Sequence, residues 1–408
     1  MAEGRNHGGF STLLLLAGAN LLNYANRNVA FHHSVYSDLR SMFSVDEAAL
    51  GLLGTAFMFS HAAVTLPVGW LGDRLPRNRV IAAGVFLWSI SAIWGAFANS
   101  YTSLLASRFV AGIGCAACVP IANAALCDIY AGPKKARMMS IFNVGLFLGG
   151  IVGFGAGGLL GFVNGFLLVG VPGLLLALLV VRHPINASSV AVENAASLKV
   201  FVTQIRMAFR GGALRWMYAG AVLMAFSAGG YIAWFSEFLE GSKGMAEAEA
   251  GVLFGLCLLG GLLGVVAGGM ISDRLSKSFT AGKQICVALG VGLAVPCALF
   301  ALWLPKSTTF YIVSFLLMFF ISWYHAPIAA AVDDLVPEER AATTQGVYIF
   351  LMHLLGTAPS SYVVGVLASR LELTEALLLP TATMACAAVL FAVSAVKMSG
   401  NSVVQPRG

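Results

Sequence analysis

Two arginines, Arg27 and Arg108, stand inside long apolar runs of this sequence. A guanidinium at the centre of a bilayer costs about 2.5–3.5 kcal/mol on insertion scales, so it must face a cavity or a polar partner. Asn20, Asn23, Tyr24 and Arg27 fall within about 100° of arc on one helix, a single polar stripe. Arg108, Gly112 and Cys115 share a face of a second helix. Two guanidiniums with no acid beside them make a site for an anionic head group, and each can otherwise bond helix carbonyls. Asn26 and His61 belong to the same candidate set, with Tyr231 and Trp234 as an apolar wall. Ser227, Tyr231, Trp234 and Glu237 recur at i, i+4, i+7 and i+10. His61, His325 and Glu237 are the groups that could exchange a proton within the apolar part. No nucleophile–base pair, HExxH or other metal-ligand spacing is present, so enzyme, cofactor and metal chemistry are not expected. Cys115 and Cys118 have CxxC spacing, read as small packing residues on a buried helix.

The elements that hold these residues follow from composition. Of 408 residues 59% are hydrophobic and 10% charged, where a soluble domain carries about 25% charged. Apolar runs of about 20 residues, the length that crosses a bilayer as a helix, recur throughout. They are continuous rather than alternating, which excludes a barrel. Twelve spans are expected, near 10–31, 47–71, 79–98, 101–127, 137–161, 163–182, 213–239, 247–272, 282–304, 307–332, 340–369 and 373–397. The one long connection, 183–212, carries an amphipathic basic segment from Leu198 to Arg210, expected to lie on the membrane surface. The organisation is therefore a six-helix half at 1–182, a cytoplasmic linker at 183–212 and a second half at 213–408. The first span is read as retained rather than cleaved.

An internal repeat supports two halves. Gly69-Trp70-Leu71-Gly72-Asp73-Arg74-Leu75 and Gly269-Met270-Ile271-Ser272-Asp273-Arg274-Leu275 match at an offset of 200 and follow the second and eighth spans. Such repeats build secondary transporters. Asp73, Arg74, Asp273 and Arg274, with Arg137 and Arg340, are candidate latches between two packings. Eighteen of the 24 Lys and Arg fall in the loops and tails of one side. The other side holds Arg40, Lys243, Lys306 and Arg370, and Arg27 and Arg108 lie inside. The positive-inside rule puts both termini in the cytoplasm of a plasma (inner) membrane. The net charge of +6 sits in those loops and is not a nucleic-acid signal. In the fifth span Gly145, Gly149, Gly150, Gly153, Gly155, Gly157, Gly158 and Gly161 allow close helix approach.

The segment from Gly69 to Arg79 resembles the loop signature of the major facilitator superfamily. Leu22–Arg27, Gly51–Met58, Arg108–Gly114, Val171–Ala177 and Asp334–Ala341 resemble its spinster-like branch over nearly the whole chain. The anion:cation symporter branch is the rival. The resemblance implies an all-α fold of two six-helix halves with inverted 3+3 repeats. It also implies alternating-access transport of a lysophospholipid-like amphiphile, or of a small organic or sugar acid. A membrane receptor or assembly factor that kept the fold is the third possibility. A solute and membrane lipids are the expected partners of a monomer. Two departures stand out. The family places Asp before the first-helix arginine, where this chain has Asn26, and Glu after the Gly-x-Gly of the fourth helix, where it has Cys115. Proton coupling through that pair is therefore not expected. A facilitator, an exchanger, or coupling through His61 or Glu237 replaces it.

Overall fold

The structure is a computed structural model and describes residues 3–130, 133–185, 212–333 and 338–401. The amphipathic segment expected at 198–210 lies outside the described residues. The chain divides into two compact units, Met1–Ala195 and Ala196–Gly408. Both are built of helices. Among the described residues nine helices are long and apolar enough to cross a membrane, and Thr308–Tyr324 is a shorter apolar one.

Unit 1 holds α1 (Glu3–Asn28), α2 (His33–Phe43), α3 (Glu47–Arg74), α4 (Arg77–Ala96), α5 (Tyr101–Ala116), α6 (Cys118–Ile129) and α7 (Pro133–Arg182). Side-chain caps set several starts. Asp46 accepts from the Ala49 N–H at 2.9 Å before α3, and Ser100 accepts from the Ser103 N–H before α5. α7 contains two segments joined at Gly161, whose φ of 69° and ψ of −172° only glycine adopts without strain. This break falls at the boundary expected between the fifth and sixth spans. α2 falls between the first two expected spans, because its eleven residues carry too little apolar sequence to signal a span. Its Asp38 accepts from the Phe162 N–H at 2.9 Å, so α2 caps the second segment of α7 across 124 positions of sequence.

Glycine sets the tightest contact of unit 1. A Cβ built on Gly149 would stand 2.3 Å from the Leu21 carbonyl oxygen, and one on Gly153 2.4 Å from that of Ala25. Gly145 faces Ala17 and Leu21 in the same way, and Gly157 faces Val29. Glycines four apart on α7 thus run along carbonyls four apart on α1 and the turn that follows it, backbone against backbone. This pins the polar stripe of α1 in place.

Unit 2 holds α8 (Gly212–Glu237), α9 (Glu247–Ser278), α10 (Gly282–Trp303), α11 (Thr308–Ile321), α12 (His325–Asp333), α13 (Glu338–Leu351), α14 (Ala358–Ala368), α15 (Leu373–Ala376) and α16 (Leu378–Asn401). Gly260, Gly264 and Gly268 of α9 lie against the carbonyls of Phe315, Phe319 and Trp323. Between α8 and α9, Lys243 donates to the carbonyls of Leu302 and Leu304 at 2.8 and 2.9 Å, closing the C-terminus of α10. Phe238 and Phe310 flank its ammonium, and this burial holds the Lys243 pKa below the usual lysine value. Glu249 accepts hydrogen bonds from Lys306 and from the Tyr311 hydroxyl at the same end.

Candidate functional site

The residues singled out on the first and fourth spans meet in unit 1. Gly112 makes the meeting possible. A Cβ there would stand 2.1 Å from the Phe57 carbonyl oxygen, so α5 can cross α3 this closely only with glycine at the contact. Ser60 adds a bond across the same crossing, donating to the Phe109 carbonyl at 2.7 Å. One turn of helix on either side of Gly112, Arg108 and Cys115 then face the last turn of α1.

Arg108 is 1% exposed. Its Nη1 donates to the backbone carbonyl of Asn26 at 3.1 Å and to the Asn26 side-chain oxygen at 3.2 Å. Its Nη2 donates to the Arg27 carbonyl at 3.4 Å. The guanidinium lies over the Phe57 ring at 4.8 Å and the Phe166 ring at 5.6 Å. α1 ends at Asn28, so these are carbonyls of a helix C-terminus, where the backbone dipole favours a cation. The positive charge is answered by helix carbonyls rather than by a carboxylate. The expectation that Arg108 meets a solute is thereby corrected for this conformation: the side chain is sealed.

Arg27 differs. It is half-buried, and its guanidinium has no hydrogen-bond or ion-pair partner among the described residues. It lies within electrostatic reach of Tyr24, His61 and Cys115. Tyr24, three residues earlier on the same stripe, is also half-buried. Asn20 donates to the Phe142 carbonyl at 2.8 Å, and Asn23 donates to the Cys115 carbonyl at 2.9 Å. These two asparagines therefore tie α1 to α7 and α5. Asn26 is fully buried, and its amide donates to the Cys115 sulfur at 3.8 Å. The two positions at which the resemblance calls for acids are thus neighbours, and both adjoin Arg108. His61 stacks on Phe57, with ring centroids 6.2 Å apart and planes 13° from parallel, on the ring that also carries Arg108.

Tyr231, Trp234, Glu237 and His325 belong to unit 2. Tyr231 and Trp234 were expected to line an apolar wall. The structure buries them at 2% and 0% exposure inside the unit. The Tyr231 hydroxyl lies 2.6 Å from that of Thr381, and the Trp234 indole donates to the Ser361 carbonyl at 3.0 Å. Both rings satisfy their polar atoms between helices of unit 2, which is what a buried Tyr or Trp requires. Glu237 is the last residue of α8 and is buried, while His325 opens α12, exposed and 4.1 Å from the Tyr324 ring. Among the latch candidates, Arg74, Asp273 and Arg274 are exposed at helix ends. The side chains of Asp73, Arg137 and Arg340 lie outside the described residues.

The Major Facilitator Superfamily sequence model matches residues 10–359, most of the chain. The chain belongs to the Major Facilitator Superfamily. Membership places it among multi-pass integral membrane transporters rather than enzymes. Within this superfamily it is similar to the protein spinster of Drosophila melanogaster, at 28% identity over 381 residues. That alignment covers 88% of this chain but only 62% of the fly protein. A sphingosine-1-phosphate transporter of Danio rerio is 25% identical over 388 residues, covering 88% of this chain and 76% of its own. Among solved structures, a bacterial homologue of the human lysosomal transporter spinster has a TM-score of 0.75 at 22% identity. It covers 97% of both chains and shows the shared fold.

Proposed function

We propose that this superfamily member is a secondary transporter of an amphipathic anion of lysophospholipid type, working by alternating access. The observation that carries this is the contrast between the two arginines. Arg108 spends its charge on the carbonyls of α1, while Arg27 presents a guanidinium with no side-chain partner among the described residues beside the half-buried Tyr24. A guanidinium of this kind offers paired donors to a phosphate. The similarity to a sphingosine-1-phosphate transporter favours a phosphate-bearing lipid over a sugar acid. Ligand that binds only the folded state raises apparent stability, by about 2.7 kcal/mol at one hundred times its Kd. Lysophosphatidate and sphingosine-1-phosphate should therefore raise the thermal midpoint of the purified protein. Glucuronate, and a neutral monoacylglycerol of the same chain length, should leave it unchanged. Stabilisation by glucuronate alone would favour the small-acid reading instead.

We infer further that this transport is not driven by protons at the Asn26–Cys115 position. An amide and a thiol in contact at 3.8 Å hold no carboxylate to load and unload. Uptake into proteoliposomes should be indifferent to an imposed pH gradient, and the double substitution Asn26→Asp with Cys115→Glu should make it gradient-dependent. Gradient-driven uptake by the unsubstituted protein would instead direct attention to His61 or Glu237. The inner latch of Asp73, Arg74 and Arg137, with Asp273, Arg274 and Arg340, belongs to the same cycle. So do the plasma-membrane location, the cytoplasmic termini and a monomeric state.

A further inference from the structure

Unit 2 contains two π-helical stretches among the described residues: Phe238–Ser242 at the end of the segment Gly212–Ser242, and Met352–Thr357 inside the segment Gln345–Ala368. α13 and α14 are joined by a π-helical turn, Met352–Thr357, in which the Ala358 N–H donates to the His353 carbonyl five residues back. The turn lies near the middle of the membrane-length stretch Gln345–Ala368. A π turn is one residue too many in an α-helix. Such turns account for well under 1% of residues and cluster at functional sites.

The surroundings hold one side of this turn. A Cβ on Gly356 would stand 2.5 Å from the Val222 carbonyl oxygen and 2.8 Å from the Ala225 Cβ. A Cβ on Gly229 would stand 2.4 Å from the Ser360 Oγ and 3.0 Å from the Thr357 Cγ2. The end of the turn and the start of α14 are therefore seated on α8, backbone against backbone. On α13, Tyr348 stacks on Tyr218 of α8 with ring centroids 6.3 Å apart, a side-chain contact rather than a backbone one. Leu355 is 51% exposed, and nothing lies within 4 Å of a Cβ built on Gly346 of α13. The corresponding segment of unit 1, the first part of α7, seats glycines on α1 at an unbroken four-residue spacing with regular α-helix up to Gly161. Seating a helix in this way does not require an extra residue.

We propose that Met352–Thr357 is a joint in the transport cycle. α13 turns relative to the α8-seated α14 as the surplus residue shifts along the helix. Each shift exchanges one backbone hydrogen bond for another, so the segment rotates in mid-membrane without exposing unpaired N–H and C=O groups to lipid. The functional half of this proposal rests on the transport reading; the mechanical half does not.

Deleting Leu355 removes the surplus residue and takes away a side chain that faces outward. The deletion protein should form continuous α-helix, with a thermal midpoint at or above that of the parent. It should bind lysophosphatidate within about threefold of the parent and transport it at least about tenfold more slowly. Transport at the parental rate overturns the joint. Hydrogen exchange on the unsubstituted protein in nanodiscs tests the same point, whether or not the deletion protein folds. Amides of 352–358 should exchange faster than those of 359–366, and lysophosphatidate should slow them. Uniformly slow exchange across both stretches overturns the proposal. If the parent transports no lysophosphatidate, the substrate reading fails by itself. Fast exchange confined to 352–358 still supports the joint, and its absence still overturns it.

Discussion

Arg108→Ala is expected to leave unit 1 poorly folded, whatever solute the protein carries. The substitution removes three hydrogen bonds from a charged donor to the end of α1. Hydrogen bonds to charged groups contribute about 1.5–3 kcal/mol each, and those carbonyls would be left buried without a donor. The loss is not the sum of the three, since such contributions are not additive in one network. A net cost of about 3 kcal/mol is still a large part of the stability of a domain. The measurement is thermal unfolding in detergent, read beside the monodisperse fraction on gel filtration. Arg108→Lys should fall between parent and alanine, because an ammonium can reach one carbonyl but cannot span two in a plane. An alanine protein as stable as the parent would show that the guanidinium does not hold α1.

Gly149→Leu is expected to be at least as damaging. The Cβ alone meets the Leu21 carbonyl oxygen at 2.3 Å and the Tyr24 Cβ at 2.7 Å. Neither neighbour is the free end of a flexible side chain, so α1 must move as a body. Overpacking of a core side chain costs about 1–3 kcal/mol, and here the obstacle is backbone. Displacing α1 also displaces Asn20, Asn23, Tyr24 and Arg27, which ride on it. Gly149→Ala should already lower the thermal midpoint, and Gly149→Leu should give little folded protein. Gly155, on the same helix, has nothing within 4 Å of its Cβ position. Gly155→Ala should be neutral or should stabilise, because alanine gains up to about 1 kcal/mol over glycine in a helix. Equal effects at the two positions would mean that the α1–α7 contact is not as tight as described.

Much of the fold was legible in the sequence. Apolar runs fix where helices cross, since length and hydrophobicity are local properties, and Gly161 marked the boundary between the two segments of α7. α2 was not legible: it holds its place through Asp38 and the Phe162 N–H, a contact between distant parts of the chain. The polar stripe placed Asn20, Asn23, Tyr24 and Arg27 on one face. Helical spacing could not say that Arg108 would bond the carbonyls of α1 rather than stand open, because an apolar run gives the same pattern for either. It also set Asn26 apart from the stripe. The family pattern singled out that position, and the structure shows it bonded to both Arg108 and Cys115. Tyr231 and Trp234 misled because amphipathic aromatics suit a cavity wall and a satisfied core equally well. The π turn left no sequence signal, since one surplus residue does not alter hydropathy.

The proposed transport depends most on Arg27 being the group that takes the anionic head. The direct measurement is uptake of labelled lysophosphatidate by proteoliposomes containing the parent protein or Arg27→Gln, at matched amounts of folded protein. Glutamine keeps hydrogen-bond donors at this position and removes the charge. The prediction is robust uptake by the parent and a fall of at least about tenfold, or about 1.4 kcal/mol, in Arg27→Gln, with the thermal midpoint unchanged. Uptake by Arg27→Gln equal to that of the parent would contradict it.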